Sequence, residues 1–426
     1  MEYKEVIFYL LLVIFIITMS RNIIYIFFGP FYSFSKARLN SKNNKYTREE
    51  IEKLIKISVI VPAWNEEVGV INTIKSLLSS DYNNLEILLI DDGSTDNTRS
   101  VVSNFIKNKV NNHIDTDKTI KLYSKENGGK GSAINFGIKK SSGNLIVTMD
   151  ADSVFEKHAL FNAARYFTDK NIDAAVGNVK VGNPNTFLGL IQQLEYMVGF
   201  YFKRTHAIFN SEYIISGAFG LFRRDVFDKY GYFHEINKTE DIEFSTRLQS
   251  KGCKIAFIED AIAFTEAPSS LVSLMKQRLR WKKGRLDAFY IHRNLFFSRD
   301  KKHSKFLTHY LLPITIIYEL ELIIEPVVII LGIIYLVSTQ NFFGLILWII
   351  FTGLMHGMAF MFGVNRNSKK AFLVLPIYFL LSYVIIFIEI YAMYASIKLF
   401  LQKKDIKWQT WDRKGINPKL SLRTIK

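Results

Sequence analysis

Long apolar runs crowd the two ends of this chain, with a mixed polar stretch from about Arg38 to His303 between them, and this constrains its fold more than any other feature. In hydrocarbon every backbone N–H and C=O has to be satisfied internally, so such runs fold as helices. The first run, Val6–Phe28, is long enough to cross a core of about 30 Å at about 1.5 Å per residue. A cleaved signal peptide fits it poorly. The positive charge follows the run, the run is too long, and no A-x-A-like site comes after it. Arg21 sits near the far end, where its head group can snorkel to the interface. Lys4 is the only side-chain cation before the run, whereas Lys36, Arg38, Lys42, Lys45 and Arg48 follow it. The positive-inside rule therefore predicts an outside N-terminus and a cytosolic middle domain.

Three more apolar blocks, Leu311–Val337, Phe342–Val364 and Ala371–Leu401, close the chain. The first carries Glu319, Glu321 and Glu325, which either face a polar cavity or lie as exposed carboxylates at the interface. Three spans after a cytosolic domain would leave the basic tail, Lys398 to Lys426, outside. That violates the positive-inside rule, so one block is expected not to cross simply. The block from Ala371, with Pro376 near its start, is expected to be an interfacial piece plus a span, or a hairpin. Leu311–Val337 is open to the same reading, and the tail is expected in the cytosol.

The net charge of +16 comes from 55 Lys+Arg against 39 Asp+Glu. These cations gather beside the apolar runs, a pattern of the inner membrane surface and not of nucleic-acid binding. The single cysteine, Cys253, excludes a disulfide framework and a multi-cysteine metal site, and the eight histidines lack metal-ligand spacing.

In the middle stretch strands and helices alternate. Lys56–Val61, Glu86–Ile90, Ile120–Tyr123, Leu145–Met149 and Ala174–Val176 read as strands separated by helical patterns, which predicts an α/β, doubly wound, largely parallel sheet. Ligands bind such sheets beyond the carboxyl ends of the strands. Pro62 and the loop with Asn65 and Glu66 leave the first strand there, Asp91-Asp92-Gly93-Ser94 leaves the second, and Asp150-Ala151-Asp152 leaves the fourth.

Alternating carboxylates at Asp150 and Asp152 suit a hard cation such as Mg²⁺ or Mn²⁺, which keeps sites for water and substrate phosphates; a lone D-x-D also occurs in solvated turns. Asp91 or Asp92 accepts from a nucleobase N–H, or the D-G-S sequence is only a turn. Lys130 opens a helix after Gly128-Gly129, where an anion is favoured, unless it is simply solvated. Thr239-Glu240-Asp241 precedes a helix, so these residues are caps or Asp241 is a general base. Gln277, Arg280 and Trp281 share one helical face by their spacing. They would line a diphosphate and sugar site, or belong to a basic helix lying on the membrane.

Taken in order, D-D-G-S, D-A-D, T-E-D and Q-R-L-R-W resemble the motifs of the processive family 2 glycosyltransferases, which include cellulose, chitin, hyaluronan and poly-N-acetylglucosamine synthases. Ile191-Gln192-Gln193-Leu194-Glu195-Tyr196, Ser216–Phe222 and the single leading span are most similar to the bacterial poly-β-1,6-N-acetylglucosamine synthases. The resemblance implies a GT-A type domain with a doubly wound mixed sheet, flanked by membrane helices. It also implies that Asp91 or Asp92 binds uridine, that Asp152 with Asp150 holds the metal diphosphate, and that Asp241, beside Glu240, is the catalytic base. Gln277, Arg280 and Trp281 would line the acceptor and diphosphate side. Trp408, Thr410 and Arg413 resemble a segment that closes over the donor diphosphate, although Trp411 and Asp412 replace the small residues usual there.

The expected reaction is inverting transfer from a UDP-sugar, UDP-N-acetylglucosamine first, to a growing glycan that is passed across the membrane. The alternative is a single transfer to a lipid carrier or glycolipid. A small membrane subunit is a candidate partner. The expected organisation is a transmembrane helix at 1–30, a linker at 31–55, the catalytic domain at 56–270, an amphipathic interfacial region at 271–305, membrane or interfacial helices at 306–401, and the basic tail at 402–426.

Overall fold

The computed structural model describes residues 3–43, 45–111, 118–235, 239–363, 374, 378–404, 406 and 415–416. Its strands are β1 (Ile57–Ala63), β2 (Leu85–Asp91), β3 (Thr119–Ser124), β4 (Leu145–Thr148), β5 (Ser153–Phe155), β6 (Ala174–Val181), β7 (Gly220–Arg223) and β8 (Ile255–Thr265). The helices are α1 (Tyr3–Phe28), α2 (Tyr32–Asn43), α3 (Arg48–Leu54), α4 (Val70–Leu78), α5 (Thr98–Asn111), α6 (Lys130–Lys140), α7 (Ala159–Tyr166), α8 (Phe187–Ile208), α9 (Arg224–Tyr230), α10 (Glu240–Ser250), α11 (Leu271–Ile291), α12 (Leu312–Thr339), α13 (Phe343–Phe362) and α14 (Tyr378–Leu401).

The strands form one sheet in the order β3-β2-β1-β4-β7-β6-β8-β5. Because side chains alternate across a strand, Val59, Val61, Ile87, Leu89 and Val147 pack into a core on one face. Ile60, Leu88, Ile90 and Ile146 pack into a second core on the other. Burying such a side chain contributes about 1.5–3 kcal/mol, and both faces need helices to cover them. The register pairs Ala63 with Asp91 and Ile60 with Thr148, so the three motif loops leave from one edge.

The expected parallel arrangement holds for β3-β2-β1-β4 and again between β6 and β8. β7 is antiparallel to both β4 and β6, and β5 is antiparallel to β8, so the sheet is mixed. The sequence patterns of β5, β7 and β8 explain the difference. β5 and β7 are too short to show a period, and β8 is broken by Glu259-Asp260, where the register against β6 jumps from Gly177↔Ile258 to Asn178↔Ile262. The stretch read as a linker folds into α2 and α3, the latter opened by a capping box between Thr47 and Glu50.

Among the described residues, four helices are long and apolar enough to cross a membrane: Tyr3–Arg38, Leu307–Thr339, Phe343–Phe362 and Leu381–Leu401. α12 runs unbroken through Pro326, and residues 378–401 are one helix, without a hairpin among them. α1 packs on α12 and α13, whereas α14 lies mainly along α11. Far along the tail, Gly415 N–H donates to Glu266 Oε2 (3.1 Å). Asn72 Nδ2 donates to Ile416 O (3.1 Å), and Ile416 itself is buried, so this part of the tail is seated on the sheet domain.

Candidate active site

The loops at the carboxyl edge are knitted together before any ligand is considered. Asn65 takes a positive φ of 54°, which lets its backbone N–H donate to Ser94 Oγ (3.1 Å) while its Oδ1 accepts from Thr95 N–H (2.8 Å). Asp96 Oδ1 caps α5 by accepting from Thr98 N–H (2.9 Å). The two adjacent aspartates divide their work. Asp91 accepts from Ser94 N–H (3.0 Å) and so closes its own turn. Asp92 faces the cavity described below and holds the glycine loop, accepting from Lys125 Nζ (2.7 Å) and Gly129 N–H (2.8 Å).

That glycine loop delivers Lys130 to the first position of α6. It is far from being a solvated lysine. Its Nζ lies 2.5 Å from Asp150 and 3.5 Å from Glu240. Burial alone would push the ammonium down, but the carboxylates of Asp150, Glu240 and Asp241 outweigh it and hold it well above its ordinary range. Glu240 is buried and pushed up by that burial, with Lys130 opposing the rise and Asp241 adding to it.

Asp150 is partly open to the cavity, while Asp152 is nearly buried and accepts from Thr265 Oγ1 (3.3 Å). Among the described residues no group of three His, Cys, Asp or Glu side chains forms a protein-only metal cage. Two oxygen-bearing side chains at the cavity edge fit a hard cation that takes its remaining ligands from water and a diphosphate.

α10 begins with Glu240, preceded by Thr239, whose side chain does not cap it. Asp241 Oδ2 instead accepts from Gly217 N–H (3.1 Å). A Cβ at Gly217 would stand 2.7 Å from Lys130 Nζ and 3.4 Å from Asp241 Oδ2, so a side chain there would displace the lysine head group. α11 comes equally near: a Cβ at Gly284 would lie 1.8 Å from Thr239 Oγ1. The helix carrying Gln277 is thereby pressed against the start of α10.

Gln277, Arg280 and Trp281 all face the cavity, as their spacing predicts. Gln277 is buried, and its Oε1 has no hydrogen-bond partner among the described residues. Arg278 is the residue missed from sequence. It stacks on Trp281 at 4.4 Å and pairs with Glu195 of α8 (2.7 Å) and Glu389 of α14 (3.3 Å). One turn on, Lys282 bridges Glu319 of α12 (2.6 Å) and Glu389 (2.8 Å), and Arg285 also pairs with Glu319. The i, i+4, i+7 spacing of 278, 282 and 285 was the available signal. Glu319 is therefore an ion-pair partner, whereas Glu321 accepts from Thr18 (3.1 Å).

These groups share one cavity of about 1600 Å³. It runs from Pro62, Asn65 and Glu66 past Asp150 and Asp241, and continues between the membrane helices to Tyr318, Glu325 and Trp348. Asp91 is not on its wall, and Trp408, Thr410 and Arg413 lie outside the described residues.

Comparison with known proteins places this geometry in context. Residues 58–231 match the family model described as Glycosyl transferase family 2, and residues 145–387 match Glycosyl transferase family group 2. Over 264 residues the chain is 31% identical to poly-beta-1,6-N-acetyl-D-glucosamine synthase of Staphylococcus aureus, covering 61% of this chain and 62% of that protein. Identity and coverage are the same for the synthase of that name from Staphylococcus epidermidis. The matched stretch thus spans 62% of the length of these curated relatives. Among solved structures, the mannosyltransferase PcManGT from Pyrobaculum calidifontis, in complex with GDP-Man and Mn²⁺, shares the fold. Its TM-score is 0.54 at 17% identity, with 89% of this chain and all of that chain covered.

Proposed function

This chain belongs to glycosyl transferase family group 2, and we propose that it transfers a sugar from a UDP-sugar to a growing β-linked polysaccharide. UDP-N-acetylglucosamine is the preferred donor in this reading, supported by the similarity to poly-beta-1,6-N-acetyl-D-glucosamine synthase. The observation that carries the proposal is the single cavity joining the motif carboxylates, Gln277 and Trp281 to the space between the membrane helices.

In this reading Asp92, with Pro62 and Asn65 beside it, meets the nucleotide. Asp152 and Asp150 hold Mg²⁺ or Mn²⁺, which supplies charge neutralisation for the diphosphate. An acceptor hydroxyl loses its proton to Asp241 and attacks the anomeric carbon on the face opposite the leaving group. The bond to UDP breaks as the new glycosidic bond forms, the electron pair departs with UDP, and configuration inverts. Lys130 and Arg280 face the developing negative charge. Gln277 and Trp281 hold the acceptor sugar, Trp281 by its apolar ring face.

The polymer leaves through the helix-lined end of the cavity. We place the sheet domain and the tail together on the cytosolic side, which the seating of Gly415 and Ile416 on that domain supports. α1, α12 and α13 then cross the membrane, with the N-terminus outside. α14 stays along α11 at the inner interface, because Glu389 in its middle is paired with Arg278 and Lys282. This arrangement also reconciles the basic tail with the positive-inside rule. Cysteines introduced at Asn341 and at Lys404, both exposed, test it: reagent restricted to the outside should label the first and not the second.

Purified protein with Mg²⁺ or Mn²⁺ and a panel of UDP-sugars tests the reaction. UDP release with UDP-N-acetylglucosamine and a long product on a gel are expected. A product carrying a single added sugar on lipid would refute polymer synthesis.

A further inference from the structure

Between the end of α8 and β7, residues 211–217 run along the cavity wall next to the base. This segment is laid on α10 group by group. Gln249 Nε2 donates to Glu212 O (2.8 Å), Ile215 N–H donates to Ser245 Oγ (2.9 Å), and Gly217 N–H donates to Asp241 Oδ2 (3.1 Å). Asp241, Ser245 and Gln249 stand four residues apart, in one stripe of the helix. Ser245 Oγ also donates to Asp241 O (2.5 Å). Asp241 Oδ1 accepts from Ile242 N–H within α10 (2.9 Å), so displacing the segment removes the hydrogen bond that holds the other oxygen, Oδ2.

The far end of the segment is anchored by charge. Glu212 is 1% exposed. Its Oε1 accepts from Lys203 Nζ of α8 (2.8 Å) and from Ile214 N–H (2.9 Å), and Lys203 donates as well to Ile214 O (2.7 Å). His206 Nδ1 lies 3.4 Å from Glu212 Oε2, and the Nε2 of the same ring is 2.9 Å from the Tyr25 hydroxyl of α1. Burial alone would push the Glu212 carboxyl up, but Lys203 and His206 outweigh it and hold it down at about 2. A buried ion pair of this kind is weak as a source of fold stability, since apolar residues of similar volume often do as well. What it does supply is direction, fixing both backbone groups of Ile214 three residues before Gly217.

We propose that Glu212 is a positioning residue for the transfer reaction, locking the 212–217 segment to α8 so that Gly217 N–H holds the Asp241 carboxylate toward the acceptor hydroxyl. This rests on the reading of Asp241 as the base. Reactive groups have to be held to within about 0.5 Å of the productive geometry, so loss of the anchor acts on the chemical step and leaves in place Pro62, Asn65 and Asp92, which meet the nucleotide in this reading.

The test is steady-state kinetics of Glu212→Gln with UDP-N-acetylglucosamine, alongside thermal unfolding. We expect kcat to fall by about tenfold or more while donor KM stays within about twofold, the signature of an interaction made only in the transition state. Because Glu212→Gln leaves Lys203 buried without its counter-charge, the double variant Lys203→Met/Glu212→Gln removes both charges and carries the same expectation. The inference is overturned if a folded variant keeps kcat within about twofold of wild type, or if kcat falls with a parallel rise in donor KM. It falls too if the double variant does not fold, because Glu212 is then a stability element. Asp241→Asn, assayed beside them, separates the two readings. Turnover in that variant sinks the base assignment itself, whereas a dead Asp241→Asn with a normal Glu212→Gln sinks only the positioning role.

Discussion

The two walls of the cavity handle charge in opposite ways. At the sheet edge, Asp150 remains partly open, and Lys130 is shared between Asp150 and Glu240. Asp150 thus turns one side of this ion pair toward the cavity. Along α11 the cations are already neutralised: Arg278 by Glu195 and Glu389, Lys282 by Glu319 and Glu389, and Arg285 by Glu319. There Gln277, whose Oε1 has no hydrogen-bond partner among the described residues, faces the cavity with Arg280 and the ring of Trp281. The difference teaches that basic residues in the Q-R-L-R-W helix are not interchangeable. Arg280 lines the cavity, while Arg278 clamps α11 to α8 and α14.

The contrast can be broken most severely at Asp241, the base of the proposed reaction. Asp241→Asn should lower transfer by about 10²–10⁴-fold while leaving UDP binding, measured by calorimetry, intact. Next in size is the clamp. Arg278→Met removes the buried guanidinium from between Glu195 and Glu389, leaving Glu195 without this partner and Glu389 with Lys282, and breaking such a pair costs up to about 3–5 kcal/mol. Thermal unfolding in detergent should reveal that loss even without donor. If instead Arg278→Met altered donor affinity at unchanged stability, the division between the two walls would be wrong.

A smaller effect concerns acid. The Glu212 carboxyl is held at about 2 in the folded chain, below its unfolded value near 4.3. Its contribution is present above that unfolded value and is lost as pH falls through the window toward about 2. The Lys203→Met/Glu212→Gln variant should therefore have a shallower loss of stability with acid, read from unfolding at stepped pH. Smallest is Thr47→Ala, which opens the capping box of α3 away from both walls. It should cost about 1 kcal/mol and leave kinetics unchanged.

What could be read from the sequence follows the same physics. β1, β2 and β4 were legible because strands buried on both faces are continuous apolar runs, each ending at Asp or Pro residues that mark the ligand edge. β7 and β8 were not, since four residues cannot display a period and Glu259-Asp260 interrupts β8 at its bulge. Gln277, Arg280 and Trp281 were legible from helical spacing. The role of Arg278 was not, because its partner Glu195 lies 83 residues away and only the folded chain brings them together. Nor could spacing choose between neighbours: Asp92 faces the cavity, whereas Asp91 closes its own turn.

The central claim is that one cavity serves both the transfer at the sheet edge and the exit between the helices. Reconstitution into sealed vesicles with the sheet domain outward, supplied externally with UDP-N-acetylglucosamine and Mg²⁺ or Mn²⁺, tests it most directly. Polymer that resists an added β-hexosaminidase until detergent opens the vesicles is the expected result. Polymer made at a normal rate but fully degraded in intact vesicles would contradict it.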